Sequence, residues 1–250
     1  MNILVSNDDG IDAEGIKQLA NALTEIGKVT VIAPKTEQSA VGHAITMKVP
    51  LRIYEHNFGN DIEAYAIEGT PADCIKIGIK NILKVKPDII VSGINHGSNT
   101  AISIIYSGTV SAAREAAIMG YPAIAMSITD HRPTSFNAAN KIAKDLVLKV
   151  MTNKLPDGTL LNVNVPNLPL KDIKGILPTH QGISKWDDVY EERVDPYGNK
   201  YYWLTGYMEE LDTEIHNDQI AVKNNYVAVT PVHFDLTDYK AYDELKTWNL

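Results

Sequence analysis

Residues 2–34 read NILVSNDDGIDAEGIKQLANALTEIGKVTVIAP, and this stretch decides the fold. The short apolar run from Asn2 to Ser6 is typical of a buried strand. Apolar residues then recur at the offsets of one helix face, namely Ile16, Leu19, Ala20, Leu23 and Ile26. Gly27 is placed to end that helix, and the run from Val29 to Ala33 predicts another strand, which stops at Pro34. A strand, a helix and a strand in this order predict a parallel pair joined by a crossover helix.

The same alternation continues through the first two thirds of the chain. Further strands are predicted at Ile62 to Ile67, Asp88 to Ser92, Ala123 to Ile128 and Leu160 to Val165. Helical patterns lie between them and begin near Pro71, Val110 and Phe136. We therefore predict an α/β fold with a doubly wound, mostly parallel sheet that is covered by helices on both faces.

Past about residue 180 the composition changes, because seven of the chain's 18 aromatic residues fall within 22 residues. They are Trp186, Tyr190, Tyr197, Tyr201, Tyr202, Trp203 and Tyr207. We predict a β-hairpin here, with Pro196 to Asn199 as its turn and Lys200 to Leu204 as its return strand. A lone hairpin is marginally stable, so this arm should pack on another subunit, across the mouth of the active site, or on its own domain.

The chain is accordingly divided into two parts. Residues 1–180 are predicted to form the catalytic core. Residues 181–250 are predicted to form the aromatic arm and a C-terminal segment that packs on a neighbouring subunit and on the core. Val227 to Val232 predicts the last strand, and the tail that contains Trp248 should form a short helix or a docked strand.

Composition and charge narrow the range of partners and compartments. The 250 residues include 23 Lys and Arg against 31 Asp and Glu, a net charge of −8, and show no basic stripe, so we expect no DNA partner. The single cysteine, Cys74, cannot form an internal disulfide, which favours a reducing compartment. The N-terminal residues lack the basic region of an export signal, and no apolar run approaches the ~18 residues of a membrane span. We therefore expect a cytoplasmic protein without a membrane contact.

Polar segments follow three of the predicted strands, at Ser6 to Gly10, Ala33 to Ser39 and Ser92 to Asn99. In an open parallel sheet, ligands bind outside the carboxyl ends of the strands. The adjacent Asp8 and Asp9 would repel each other, and a divalent cation such as Mg, Mn or Ca is the simplest compensation. The alternative is that one of them only caps the following helix.

A second candidate binding feature is the segment Ser107-Gly108-Thr109, which opens a predicted helix. Free backbone N–H groups and the helix dipole at such an end favour an anion, and the two hydroxyls add donors. The lysine of a phosphate-binding P-loop is absent, so triphosphate handling is disfavoured. The alternative is a simple helix cap. Beside a metal held by oxygen ligands, the segment becomes a candidate phosphate site.

Taken together, several blocks of the chain resemble the SurE family of metal-dependent nucleotidases. They are Asn7-Asp8-Asp9-Gly10, Gly69 to Cys74, Ser92 to Gly97, Tyr106 to Val110 followed by Ala112-Ala113, and Val227 to Pro231 with Asp235 and Thr237. The resemblance implies a Rossmann-like core, a C-terminal arm exchanged in a homodimer or homotetramer, and hydrolysis of nucleoside monophosphates. Residues 100–105 depart from the family pattern, which leaves the substrate preference open.

The resemblance also assigns roles to individual residues. Asp8, Asp9, Ser39 and Asn95 match the metal-binding positions, and Asn95, Ser107, Gly108 and Thr109 match the phosphate-binding positions. Asp8, Asp9 and Asn95 are accordingly the predicted catalytic residues. One divalent ion per subunit, Mg or Mn, would polarise the phosphate of a nucleoside 5′-monophosphate while Asp8 or Asp9 accepts a proton from the attacking water. Nucleoside 3′-monophosphates and short polyphosphates remain further candidate substrates.

Two other functions are compatible with aspartates after the first strand. A haloacid-dehalogenase-like phosphatase would use an aspartyl nucleophile, although that motif separates its two aspartates by one residue. A receiver-type signalling domain would bind Mg without catalysis, although 250 residues are long for it. His43, His96, His180 and His233 are interpreted as structural, with His96 as the candidate for a supporting role because it adjoins Asn95.

Overall fold

A mixed sheet of nine strands forms the centre of the molecule, and two further strands form a separate antiparallel hairpin. The computed structural model describes residues 1–248, so the last two residues of the predicted C-terminal segment, 249 and 250, lie outside the described residues. The strands are β1 (Asn2–Ser6), β2 (Lys28–Pro34), β3 (Ile53–Glu55), β4 (Glu63–Ile67), β5 (Ile89–His96), β6 (Ala123–Ile128), β7 (Thr159–Val165), β8 (Gly175–Pro178), β9 (Ser184–Val194), β10 (Lys200–Glu210) and β11 (Tyr226–His233). The helices are α1 (Glu14–Leu23), α2 (Pro71–Ile77), α3 (Ser103–Tyr106), α4 (Gly108–Ile118), α5 (Asn137–Asn153), α6 (Asp218–Lys223) and α7 (Tyr239–Leu245). None of the described helices is both long and apolar enough to span a bilayer.

Strand β1 occupies the middle of the nine-stranded sheet, whose order is β3-β4-β2-β1-β5-β6-β7-β11-β8. All pairs from β4 to β7 are parallel, while β3 and β11 pair antiparallel with β4 and β7. The chain first runs outward from β1 through β2 to β4, and then returns to the other side of β1 as β5. This reversal makes the carboxyl ends of β1 and β5 the point where a ligand crevice opens in such a sheet.

Helices cover both faces of the sheet, as the doubly wound prediction requires. Helices α1 and α5 pack together on one face, and α2 and α4 pack together on the other. The alternation within β1 supplies both cores, because Ile3 and Val5 lie in one apolar cluster and Leu4 lies in the other. The predicted apolar face of α1 is buried except for Ile26, which lies beyond the helix and is partly buried.

Helix α1 packs closely against β5 next to the crevice, and this contact holds the two elements together there. A Cβ atom on Gly15 would lie 2.0 Å from the carbonyl oxygen of Ile94, so only glycine permits this approach. The start of α1 is thereby held against the strand that ends in Asn95 and His96.

The predicted α/β fold with a C-terminal hairpin is confirmed, and the predicted strands and helices differ from the structure mainly at their ends. Strand β5 extends beyond the predicted Ser92 to His96, because its pairing with β6 resumes after a register shift between Ser92 and Asn95. The helix that begins at Pro71 leaves α geometry after Ile77 and continues as a π-helical turn over Gly78–Ile82. The short elements β3, β8, α3 and α6 carry no periodic pattern long enough to have been predicted.

The predicted hairpin is present and is longer than expected. Strand β10 continues past Leu204 to Glu210, and β9 and β10 pair along their whole length. The hairpin forms its own two-stranded sheet, and many of its apolar side chains are exposed, with Tyr197 at the turn 91% exposed. The last strand, β11, returns to the central sheet between β7 and β8. The predicted tail forms a short helix, α7.

Candidate active site

A cavity of about 670 Å³ opens at the carboxyl ends of β1 and β5, a volume in the range of small-molecule sites. Its walls combine the turn after β1, the loop after β2, the end of β5 and the start of α4. The hairpin base closes one side. Among the residues that line it are Asp8, Asp9, Glu14, Glu37, Ser39, Asn95, His96, Ser103, Tyr106, Ser107, His131, Trp186 and Met208.

The turn after β1 is fixed by its own hydrogen bonds. The side-chain amide of Asn7 donates to the carbonyl of Gly10 at 2.8 Å, and Gly10 adopts a left-handed φ of 96° that favours glycine. The backbone N–H of Gln38 donates to the carbonyl of Asp8 at 2.7 Å. The turn that carries both aspartates is therefore tied directly to the loop that carries Ser39.

Asp8 is buried, with 4% of its surface exposed. Burial raises the pKa of its carboxyl group, although hydrogen bonds from Thr109 and from the backbone of Gly108 oppose that rise. The Thr109 hydroxyl donates to Asp8 Oδ1. A Cβ atom on Gly108 would lie 2.6 Å from Asp8 Cβ, so glycine at this position lets the start of α4 approach the aspartate.

Asp9 lies beside Asp8 in the cavity wall. Burial and the neighbouring Asp8 carboxylate raise the pKa of Asp9 to about 7, while the backbone N–H of His96 acts against the rise. Asp9 Oδ2 is buried and has no hydrogen-bond partner among the described residues. An unpaired buried carboxylate oxygen is costly, and it indicates a position for a cation or a donor.

Asn95 is the second-last residue of β5 and lines the cavity, just after the register shift of this strand against β6. Its side-chain Nδ2 donates to the carbonyl of Gly97 at 2.7 Å. That hydrogen bond fixes the orientation of the amide and leaves the carbonyl oxygen Oδ1 available as a ligand. The bulge thus brings an amide oxygen to the same crevice as the two carboxylates.

Ser39 also lines the cavity, in a loop without regular secondary structure. Its hydroxyl donates to Glu37 Oε1 at 2.7 Å, so this loop presents both a hydroxyl and a third acidic side chain at the rim. The oxygen of that hydroxyl keeps lone pairs for a further interaction.

The predicted phosphate segment is divided between two environments. Ser107 lines the cavity and caps α4, because its Oγ accepts the backbone N–H of Val110 at 3.1 Å. Thr109 is fully buried behind it, and its hydroxyl is committed to Asp8. The helix-cap alternative therefore describes Ser107 correctly. Gly108 and Thr109 do not line the cavity, and their backbone N–H groups donate to the Asp8 carboxylate.

The donor set fits a hard divalent cation. Two carboxylates, an amide oxygen and a hydroxyl line one cavity, and one carboxylate oxygen is unpaired. Among residues 1–248, no group of three or more His, Cys, Asp or Glu side chains is arranged to hold a metal ion. Softer sites of the zinc type therefore have no counterpart in the described part of the chain.

Several lining residues were missed by the sequence analysis. His131 follows strand β6, and the rule that placed the other polar segments at strand ends could have identified it. Trp186 and Met208 lie opposite each other in the hairpin register, at its base. Packing of the hairpin across the mouth of the site was one of the positions expected for it. No signal in the sequence singled out Trp186 and Met208, because their approach depends on how the hairpin leaves the core.

His96 lines the cavity beside Asn95, as its neighbour position suggested. Burial lowers the pKa of its imidazole, and the nearby His131 lowers it further. The other three histidines of the sequence analysis, His43, His180 and His233, are not among the lining residues.

Comparisons with known proteins agree with this architecture. The family model "Survival protein SurE" matches residues 3–188. The 5′-nucleotidase SurE of Chlorobium limicola is 49% identical over 249 residues, covering 100% of this chain and 96% of the relative. The 5′-nucleotidase SurE of Syntrophobacter fumaroxidans is 48% identical and covers 100% of both chains. The crystal structure of the SurE protein from Aquifex aeolicus superimposes with a TM-score of 0.86, at 40% identity and with full coverage of both chains.

The matched residues include the turn with Asp8 and Asp9, the loop with Ser39, the end of β5 and the start of α4, all of which contribute to the cavity wall. Full-length identity near one half extends the likeness to the hairpin and to β11. This chain therefore belongs to the SurE family.

Proposed function

We propose that the protein is a metal-dependent phosphomonoesterase that hydrolyses nucleoside 5′-monophosphates to nucleoside and phosphate. The observation that carries the proposal is the pair of adjacent carboxylates, buried Asp8 and half-buried Asp9, in one cavity with a helix N-terminus. Relatives that share nearly half of the sequence are named 5′-nucleotidases, which supports the substrate class. Family membership favours this function over the dehalogenase-like and receiver-type alternatives.

Asp8, Asp9, Ser39 and Asn95 are the residues that we propose to hold one divalent ion per subunit, Mg or Mn. Their oxygens are the hard ligands that these ions prefer. When bound, the ion supplies a Lewis acid and a template for the phosphate. Asp9 Oδ2 is the carboxylate oxygen without a partner, and we assign it the proton of the attacking water.

The start of α4 is the proposed phosphate site. The Ser107 hydroxyl and the Asn95 amide lie on the cavity side, where they can donate to phosphate oxygens. We assign Gly108 and Thr109 to the same site, where the helix dipole favours an anion, and their backbone N–H groups donate to the Asp8 carboxylate in this structure. The Thr109 hydroxyl holds Asp8 in place from behind. The same helix start would thus orient both the phosphate and one metal ligand.

The nucleoside is proposed to lie against the hairpin base. Trp186 is 44% exposed and faces Met208 across the strand pair, and Tyr106 lines the same side of the cavity. Aromatic faces stack on any base, with about 1–3 kcal/mol per base. Stacking of this kind predicts a tolerance for purines and pyrimidines.

We also propose that residues 1–180 act as the catalytic core and that the arm within residues 181–250 is exchanged in a homodimer or homotetramer. The exposed aromatic residues of the hairpin support this proposal, because a two-stranded sheet with exposed Trp203 and Leu204 is not expected to stand alone. The single cysteine is buried and free, which suits a cytoplasmic location.

The function is tested by phosphate release from a panel of substrates. We expect release from nucleoside 5′-monophosphates with Mg or Mn, and its loss with EDTA. Nucleoside 3′-monophosphates and short polyphosphate complete the panel and define the range. If no nucleotide releases phosphate with any added divalent metal, the proposed function is wrong.

Replacing Asp9 by asparagine should separate stability from activity. Because the pKa of Asp9 is raised from 3.8 to about 7, the metal-free protein loses stability as the pH rises from the lower to the higher of these values, and the full cost is present above about pH 7. In EDTA above that pH, Asp9→Asn should therefore melt at a higher temperature than the wild type. Its phosphatase rate should fall by at least about 100-fold, and added Mg should no longer raise its melting temperature.

Asp12→Asn is the matched control for this experiment, because Asp12 is 73% exposed in its side chain and pairs with His56 outside the cavity. It should retain both the activity and the metal-induced rise in melting temperature. A wild-type metal response in Asp9→Asn would contradict the proposed role of Asp9.

Replacing Trp186 by alanine tests the nucleoside site. We expect kcat/KM for AMP to fall about tenfold, which corresponds to about 1.4 kcal/mol of lost stacking, with no change for ribose 5-phosphate. Trp248→Ala, a tryptophan change outside the cavity wall, should leave both substrates unaffected. An equal fall in kcat/KM for the two substrates would contradict the nucleoside site. It would show that Trp186 acts on the phosphate or supports the fold.

Light scattering of the purified protein tests the exchanged arm. We expect a mass of two or four times 27.5 kDa. Changing Trp203 and Leu204 together to serine should shift the mass toward the monomer, because both apolar side chains are more than half exposed in the single chain. A monomeric wild type would exclude the proposed exchange.

A further inference from the structure

The loop that carries Ser39 has no helix or strand between Lys35 and Arg52. Its first part is attached by two backbone hydrogen bonds, from Gln38 N–H to the carbonyl of Asp8 at 2.7 Å and from Gly42 N–H to the carbonyl of Tyr106 at 3.1 Å. Ala40 and Gly42 both have positive φ, of 58° and 60°, so the chain reverses sharply just after Ser39. A loop of this shape needs a tertiary contact to hold one conformation.

Beyond Gly42, the backbone N–H of Thr46 donates to Asp73 Oδ1 at 3.0 Å and the Thr70 hydroxyl donates to the Ala44 carbonyl at 2.7 Å. The side-chain contact that joins this loop to α4 is made by His43. Its Nε2 lies 2.9 Å from Glu115 Oε2, and the Glu115 side chain is only 4% exposed. Glu115 belongs to α4, the helix whose N-terminus faces the cavity. The other oxygen of the same carboxylate, Oε1, accepts a hydrogen bond from Lys76 Nζ of α2 at 2.8 Å.

Each oxygen of the Glu115 carboxylate therefore has one charged or polar partner, Oε2 with His43 and Oε1 with Lys76. Burial opposes its ionisation, but the hydrogen bonds and charges of His43 and Lys76 outweigh burial and hold the pKa of Glu115 below its ordinary value. A buried carboxylate stays charged at low cost only while both of its oxygens are paired. Glu115 is therefore a fixed anchor within α4 rather than an adaptable surface group.

We propose that His43 is a positioning residue for the metal site. By binding Glu115, it fixes the Ser39 loop relative to α4, so that Ser39 and the Asp8–Thr109 pair keep one mutual arrangement. This inference rests on the proposed metal site and goes beyond it, because none of His43, Glu115 and Lys76 lines the cavity. Loss of the contact should weaken metal binding while the rate at saturating metal changes little.

Lys76 provides a matched control. It binds the same carboxylate from α2, which carries none of the proposed ligands, and its side chain is 48% exposed. Lys76→Met thus removes one partner of Glu115 without releasing the Ser39 loop. If His43 acts only by keeping Glu115 satisfied, the two substitutions should have the same effect on the metal.

The experiment is a titration of the full-length protein with Mn²⁺ in the absence of substrate, with free Mn²⁺ measured by electron paramagnetic resonance. We expect His43→Ala to bind Mn²⁺ about tenfold more weakly, in the range seen when outer contacts of metal ligands are removed. His43→Gln keeps a donor for Glu115 and should recover part of the affinity. Lys76→Met should bind as the wild type does, and circular dichroism should show all three variants folded.

Wild-type affinity in a folded His43→Ala, or an equal loss in Lys76→Met, would overturn the positioning role. If His43→Ala does not fold, the comparison of His43→Gln with Lys76→Met decides, since only the histidine position should alter Mn²⁺ affinity. Absence of Mn²⁺ binding by the wild type would overturn the proposed metal site, and this inference with it. In that case, phosphate release without added metal would show that the protein is still a phosphatase and that only the metal site was wrongly assigned.

Discussion

Burial of two adjacent carboxylates at the end of the central strand is the constraint on which the rest of the structure depends. Loss of hydration raises the pKa of both Asp8 and Asp9, and the charge of Asp8 raises the pKa of Asp9 further. The fold keeps them there by tying the turn to the loop after β2 and by placing the Thr109 hydroxyl on Asp8. A cation bound beside the two carboxylates would stabilise their ionised forms, and the proposed divalent ion would do this.

The sheet topology explains why every other part of the site lies nearby. Because β1 and β5 are neighbours at the switch point, their carboxyl ends bring Asp9 and Asn95 into one crevice. Helix α4 approaches the same point through Gly108, which leaves room for Asp8. A net charge of −8 is compatible with a nucleotide substrate in this setting, since the charge that matters is the local one at the cavity.

Most of the candidate site could be predicted from sequence because strand ends in a parallel sheet share one edge. Asp8, Asp9, Ser39, Asn95 and Ser107 were selected on that basis or by family resemblance, and all five line the cavity. Thr109 was selected as a phosphate donor, but its side chain turns toward Asp8. The direction of this hydroxyl depends on how the start of α4 packs against the turn after β1, which no local pattern contains.

The sequence by itself determined the order of the longer strands and helices, the family, and most of the residue types at the cavity, because these depend on periodicity and on short local motifs. The tertiary structure alone decided the bulge that presents Asn95, the approach of Trp186 and Met208, and the anchoring of His43 by Glu115. Each of these features joins segments far apart in the chain. Such contacts are set by the packing of whole elements, and no single segment specifies them.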